Sequence, residues 1–421
     1  MLKNSHLLIL AGIIVGFCLS LPCRAHGQDV TTDALRKAAR TEIEADSRED
    51  RKDETFTSGA LGLQQLNPEI SVTGDILWSY RDVEPGNAEQ DFLFRGLGLH
   101  FEAYLDPYTR FKAAASVQES GTCLGEAYMT RFGISSQVNL TLGKFRQQFG
   151  VVNRWHKHGL DQVDFPLALR EIFGPGGLNQ TGVSIDWIIP SVAGFSHELT
   201  VQVTDGENGR VFGENEDKTP SSLAHYKLYR DLTDSTYAEL GLTGLYGQNN
   251  EWQVMDVTED KSLDTTVAGV DFTVMWEPTD RMRYRNVTWR SEAYFVNKEI
   301  LASDGSGEDT ISAWGAYSYL ESKVSRTLVL GVRGDYFVPA VKDYAEYTSD
   351  AGNAVSLSPL AVVEDDSYRW QVGPYITWHQ SPFVHFRAEY NHQDGNGTGP
   401  EENVVWLQCI FAAGPHKHER Y

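Results

Sequence analysis

From Pro68 onward, oily and polar residues alternate with a period of two. In 368–378, Tyr368, Trp370, Val372, Pro374, Ile376 and Trp378 fall on one face. Arg369, Gln371, Gly373, Tyr375 and Thr377 fall on the other. In 384–391, Val384, Phe386, Ala388 and Tyr390 oppose His385, Arg387, Glu389 and Asn391. In 112–118, Ala113, Ala115 and Val117 oppose Lys112, Ala114, Ser116 and Gln118. Successive side chains of a strand point to opposite sides, so each segment builds a wall with one oily and one wet face. Charge on the wet face means that it meets water and not a packed core. Sixteen strands are predicted, at 69–81, 92–105, 109–118, 124–133, 136–144, 179–188, 196–205, 222–231, 235–247, 264–277, 282–298, 310–322, 325–337, 366–379, 382–392 and 402–412.

The connections then alternate in length. Short turns at 106–108, 134–135, 189–195, 232–234, 278–281, 323–324 and 380–381 separate longer loops at 82–91, 145–178, 206–221, 248–263, 299–309, 338–365 and 393–401. Only 119–123 breaks the pattern among the longer set. Alternating turns and loops predict an all-β, antiparallel, up-and-down transmembrane β-barrel. Tyr104, Tyr108, Trp187, Tyr336, Trp370, Trp378 and Tyr390 sit toward strand ends, where a membrane barrel carries its aromatic girdles.

The first 67 residues do not alternate. Residues 1–27 read as a secretion signal: Lys3, an apolar run from Leu7 to Leu21, and small residues at Ala25-His26-Gly27. Residues 28–67 read as a short periplasmic leader, helical or disordered, and 68–421 as the barrel. A bacterial outer membrane is the expected location. The chain carries 36 basic and 58 acidic residues, a net charge of −22, which disfavours nucleic acid and anionic membrane surfaces as partners. Cys123 and Cys409 read as two isolated thiols.

Loop 145–178 is the longest segment without alternation. It is aromatic and basic where the other long loops are acidic. It is expected to fold into the lumen and narrow a pore, with Lys144, Arg146, Arg154, His156, Lys157, His158 and Arg170 at the constriction. Pro166, Pro175, Gly174, Gly176 and Gly177 supply turns that fold it back. Lys112, Arg290, Glu292, Arg369, Arg387 and Glu389 are expected to line the wall. Two readings of the loop's charge compete. Either it selects ions below an acidic mouth, or it pairs with wall charges and braces the barrel. His156 and His158 could share a metal, as could His416 and His418, but neither pair has a third ligand nearby in sequence, so no metal site is assigned. The acidic loops at 304–309 and 394–397 read as solvated tips facing lipopolysaccharide. No cofactor is expected, and no nucleophile–base–acid grouping stands out.

Leu66–Ile76, Tyr104–Val117, Gly125–Phe132, Leu142–His158, Gly177–Pro190 and Trp406–Tyr421 resemble bacterial outer-membrane porins of the phosphate-selective porin O/P type. They are most similar to a branch sometimes labelled zinc-regulated outer-membrane receptor. The resemblance implies sixteen strands, a homotrimer, and the third long loop inside the pore. The chain departs from it in having few bases near the expected constriction, and 29–67 is too short for the plug of an active transporter. The function expected is passive diffusion of small hydrophilic solutes or ions, with outer-membrane lipid as partner. The rivals are an outer-membrane barrel enzyme, a metal- or solute-binding receptor, and a soluble periplasmic β-sandwich.

Overall fold

The computed structural model describes residues 68–83, 86–212, 219–249, 253–254, 257–258, 263–282, 284–301, 308–341, 361–362, 366–396 and 399–414. The signal and the 28–67 leader lie outside the described residues. So do His416, His418, Tyr421, the tip 304–307 and most of loop 338–365.

Sixteen antiparallel strands close into one barrel in chain order. They are β1 (Glu69–Val83), β2 (Asn87–Asp106), β3 (Thr109–Gln118), β4 (Gly121–Ser135), β5 (Val138–Arg146), β6 (Asn179–Val192), β7 (Phe195–Thr204), β8 (Ser221–Thr233), β9 (Thr236–Asn249), β10 (Leu263–Trp276), β11 (Asn286–Leu301), β12 (Glu308–Lys323), β13 (Leu328–Val338), β14 (Tyr368–Ser381), β15 (Val384–Asn396) and β16 (Glu402–Ala413). β1 pairs with β2 on one side and with β16 on the other, from Val72 opposite Ala413 to Val83 opposite Glu402. Closure of this kind removes the free edges of an open sheet.

The pleat sorts the two faces as the alternation requires. On β14, Gln371, Tyr375 and Thr377 are buried while Tyr368, Val372 and Trp378 are exposed. Around the barrel, Ile185, Trp187, Leu242, Phe295, Trp314, Leu320, Val332 and Phe386 face out and are exposed. Arg290, Glu292, Arg333, Asp335, Arg387 and Glu389 are buried inside. A soluble protein hides its oil and exposes its charge. A closed sheet with the reverse arrangement is a transmembrane β-barrel, because lipid tolerates apolar side chains and no unpaired backbone. The soluble sandwich is thereby excluded.

The first hairpin departs from expectation. Residues 82–91, read as a loop, belong mostly to β1 and β2, which pair as far as Val83 opposite Asn87. Strands that pass beyond the membrane meet water on both faces, so 82–83 and 87–91 pair without alternating. At 193–194, Ala193 (φ 54°) and Gly194 (φ 79°) make the two-residue turn whose twist suits a hairpin.

Candidate pore constriction

Between β5 and β6 the chain turns into the barrel. It makes two single-turn helices, Val152–Arg154 and Lys157–Gly159, and then helix α1 (Leu167–Phe173). Pro166 precedes α1, and Gly174, with φ at 85°, ends it by donating its N–H to the Arg170 carbonyl. Gly177 (φ 68°) then turns the chain back toward β6. The expected turn chemistry is therefore in place, and the structure adds a helix that the sequence reading did not anticipate. Phe149, Val152, Trp155, Leu160, Phe165, Leu169, Ile172 and Phe173 are buried in one cluster with wall residues Tyr294, Tyr317, Tyr319 and Phe337. Phe149 stacks on Tyr294 at 5.7 Å and meets Phe173 edge-on at 4.8 Å. The barrel thus has an apolar core of its own, built by the loop.

An irregular backbone buried among side chains must find its hydrogen bonds elsewhere. Here the wall supplies them. The N–H groups of Val151 and Val152 donate to Glu292 Oε1 (3.1 and 3.0 Å), that of Val163 to Glu389 Oε2 (2.7 Å), and that of Leu167 to Asp335 Oδ1 (2.8 Å). Guanidinium groups take the carbonyls. Arg387 donates to Leu160 and Gln162 (2.8 and 3.0 Å), Arg333 to Asp164 (2.8 Å), and Arg95 to Val163 (2.7 Å). Arg290 lies over the Trp155 ring at 4.6 Å and donates to the Tyr319 hydroxyl, which in turn donates to Asp161. Arg369 and Arg210 both grip Glu171, at 3.2 and 3.3 Å.

Of the residues expected to line the wall, Arg290, Glu292, Arg369, Arg387 and Glu389 all face inward, and all five hold the loop. Lys112 also faces inward and lies over the Tyr128 ring at 5.8 Å. The expected constriction residues divide. Arg146 donates to the carbonyls of Asn153 and Gly176 (3.2 and 3.0 Å), and Arg154 donates to Gln148 (2.8 Å), so both staple the loop to itself. Lys157 and Arg170 converge on Asp164, at 3.4 and 3.7 Å. Lys157 and Asp164 keep 37% and 35% of their side chains exposed, so this cluster still meets the lumen. Burial raises the Asp164 pKa, but Arg170, Lys157 and Arg95 outweigh it and hold the carboxyl below its ordinary value. Burial pulls Lys157 down, and Asp164 restores only part of that.

Lys144 does not belong at the constriction. β5 runs on to Arg146, so the pleat still decides where residue 144 points. Lys144 stands opposite exposed Thr181, while its neighbour Phe145 is buried inside opposite Gln180. Its register therefore puts it on the outer face.

His156 and His158 do come together, with ring centroids 5.5 Å apart. The sequence reading missed their neighbours. His100 of β2 lies 5.1 Å from each ring, and Glu126 of β4 is 2.8 Å from His156 Nε2. Burial lowers the His156 pKa against the opposing pull of Glu126. Alternation around 100 and 126 could have shown that both face inward, but nothing in the sequence ties them to the loop. Cys123 and Cys409 are free thiols.

A closed barrel with an oily exterior, and a loop clasped by charges within it, defines a transmembrane β-barrel with an inserted loop. No protein-family model matches the chain. Among solved structures, an anion-selective porin from Comamonas acidovorans is similar at a TM-score of 0.53 and 11% identity, over 82% of this chain and 100% of that one. The outer membrane channel DcaP of Acinetobacter baumannii is similar at 0.51 and 12% identity, over 82% of this chain and 97% of that one. At such identities the likeness is one of fold. A curated protein of Aquifex aeolicus, itself uncharacterized, is 28% identical over 262 residues, which make up 59% of this chain and 55% of that protein. This chain thus spans little more than half the length of that relative.

Proposed function

We propose that the protein is a porin of a bacterial outer membrane, through which small hydrophilic solutes or ions diffuse passively past loop 147–178. The observation that carries this reading is the clasped loop inside a closed barrel, with Lys157, Arg170 and Arg95 gathered round Asp164. Its similarity in fold to proteins described as a porin and a channel agrees with it. No chemical step is assigned, since selectivity of this kind comes from pore size and fixed charge. The surplus of bases at that cluster points to a modest anion preference. A strongly phosphate-selective filter would need more bases than these. A homotrimer, as the family resemblance implies, is part of the same proposal.

The test is the reversal potential of the purified protein in a planar bilayer under a KCl gradient. Stepwise conductance with a slight anion preference is expected, and changing Lys157 and Arg170 together to Ala should abolish that preference. Arg146→Ala and Arg154→Ala should leave it largely intact, because those groups are turned to the loop's own backbone and Gln148. A cation preference in the unchanged protein would overturn the anion reading. No conductance from a correctly folded barrel would return the enzymatic and binding alternatives.

A further inference from the structure

Lys157, whose charge the proposed constriction relies on, stands in the chain between His156 and His158. Both imidazoles meet the wall where the loop passes over β2, β3 and β4. There His100 stands opposite Ala114, and Ala114 opposite Glu126. His100 also pairs with Ser71, which is buried on the lumen side, so the row faces inward. His156 Nε2 lies 2.8 Å from Glu126 and keeps 19% of its side chain exposed, so lumen water reaches it. The His100 ring stands edge-on to both loop rings at 5.1 Å, and those two are stacked at 5.5 Å. Among the described residues no group of three or more His, Cys, Asp or Glu is placed to hold a metal ion. What these imidazoles can take up is protons.

We propose that His100, His156 and His158 are positioning residues for Lys157: docked on the wall at neutral pH, the 156–158 stretch lifts off in mild acid and draws Lys157 away from Asp164. The reason is the number of protons each arrangement can hold. Docked, the cluster has one carboxylate for three imidazoles, so one proton can be shared between His156 and Glu126. The other charged groups around it do not help. Lys112 of β3 and Arg146 of β5 both oppose a positive charge on His156. Glu102, the next inward residue of β2, is held by Arg110 at 3.6 Å. A second and a third imidazolium would therefore sit against a first with no counter-charge. Undocked, the three rings separate into water and each can take its proton. The sign follows: the undocked form binds more protons, so docking is strongest above the ordinary imidazole value of about 6.5 and weakens as pH falls below it. The docked His156 agrees, since burial lowers its pKa by more than Glu126 raises it. Asp164 is still ionised in this window, so the loss of its contact with Lys157 is the work of the histidines.

Hydrogen exchange of the full chain in detergent tests this, with rates corrected for the intrinsic effect of pH. The reporters are the N–H groups of Gly159 and Leu160, which donate to the carbonyls of His156 and Lys157. Each proton that the docked cluster refuses costs docking about tenfold by about pH 5.5. Protection of these two amides should thus fall about tenfold or more between about pH 7.5 and 5.5. The Gly174 amide, which ends α1, should keep its protection. In His100→Gln and in His158→Gln the fall should be much smaller. Glu126→Gln keeps an acceptor for the His156 N–H but removes the charge that lets the docked cluster hold a proton, so undocking should move to higher pH, the opposite direction. Each histidine is also changed to Asn, and folding is read from heat-modifiable gel mobility. Constant protection at Gly159 and Leu160 overturns the proposal. So does an equal loss at Gly174, or a full response in the folded histidine variants. The effect on ions rests on the porin reading, but the exchange measurement needs no conductance. Its failure would leave that reading standing, and a barrel without conductance would leave the undocking standing.

Discussion

At Glu292 one carboxylate accepts from the N–H groups of Val151 and Val152 and from the Tyr294 hydroxyl. Changing it to Ala orphans two backbone donors, each at a cost of about 1–3 kcal/mol. Glu292→Ala should release the first turn of the loop, seen as larger and noisier single-channel currents from a barrel that still folds. Gly150 reports on the same contact from the other side. Its φ is 59°, and a Cβ there would run into the Glu292 carboxylate. Gly150→Ala should therefore loosen the loop in the same way, because the backbone conformation disfavours a side chain and the added Cβ would push the Glu292 carboxylate off the N–H groups it holds. Asp164 adds a dependence on pH. A carboxyl whose folded pKa lies below its unfolded value lends stability above about pH 3.9, and that stability goes as pH falls through the folded value. Loop docking, followed by limited proteolysis, should hold at neutral pH and weaken under strong acid, and the slope should be shallower in Asp164→Asn. At this scale direction was readable and partnership was not. Alternation placed Arg290, Glu292, Arg387 and Glu389 on the inner face, but their partners lie 140 residues or more away along the chain for Val152 and Glu292 and further still for Arg387. Lys144 was misplaced because the strand outlasts its apparent end by two residues.

The loop and its helix are held by close approach as well as by charge. Ala168 of α1 lies against Gly315 of β12, where an added Cβ would come within 2.7 Å of Ala168 Cβ and 2.9 Å of the Tyr336 carbonyl. Gly315→Leu should push α1 off the wall without disturbing the outer face. Faster cleavage within 147–178 and an altered unitary conductance would show it, whereas wild-type values for both would mean that the helix is not seated by this contact. The loop was recognisable from what it lacks, since a long stretch without a period of two cannot be wall. Its helix was not, because Leu167–Phe173 makes barely two turns and Leu-Ala-Leu-Arg-Glu-Ile-Phe is apolar on nearly every side. Such a segment has no polar face to reveal a period. Its apolar residues are buried, against the barrel on one side and the rest of the loop on the other, and only Arg170 and Glu171 keep partial exposure.

For the molecule as a whole, the outer wall is what neighbours meet. Around β8 to β12 it is shallow where Ala224, Gly244 and Ala268 face out, and Tyr246, Phe295 and Trp314 rim the depression. If the proposed homotrimer forms through this face, Ala268→Trp should shift the detergent-solubilised protein toward monomer in light scattering while leaving the fold intact. An unchanged mass would move the contact elsewhere or remove the trimer. The strand count and the up-and-down order were legible because each strand carries its own alternation and each pairs with its neighbour in sequence. The seam between β1 and β16 is the exception, since it joins residues more than 300 positions apart, such as Asp75 and Gln408. A nascent chain that lacks its last strand can make every other pairing and still have two raw edges, one at each end of a curled ribbon. Bilayer insertion punishes such edges. The final twelve-residue strand therefore acts as a licence for assembly: until it has been delivered, no arrangement of the preceding fifteen is fit to enter lipid.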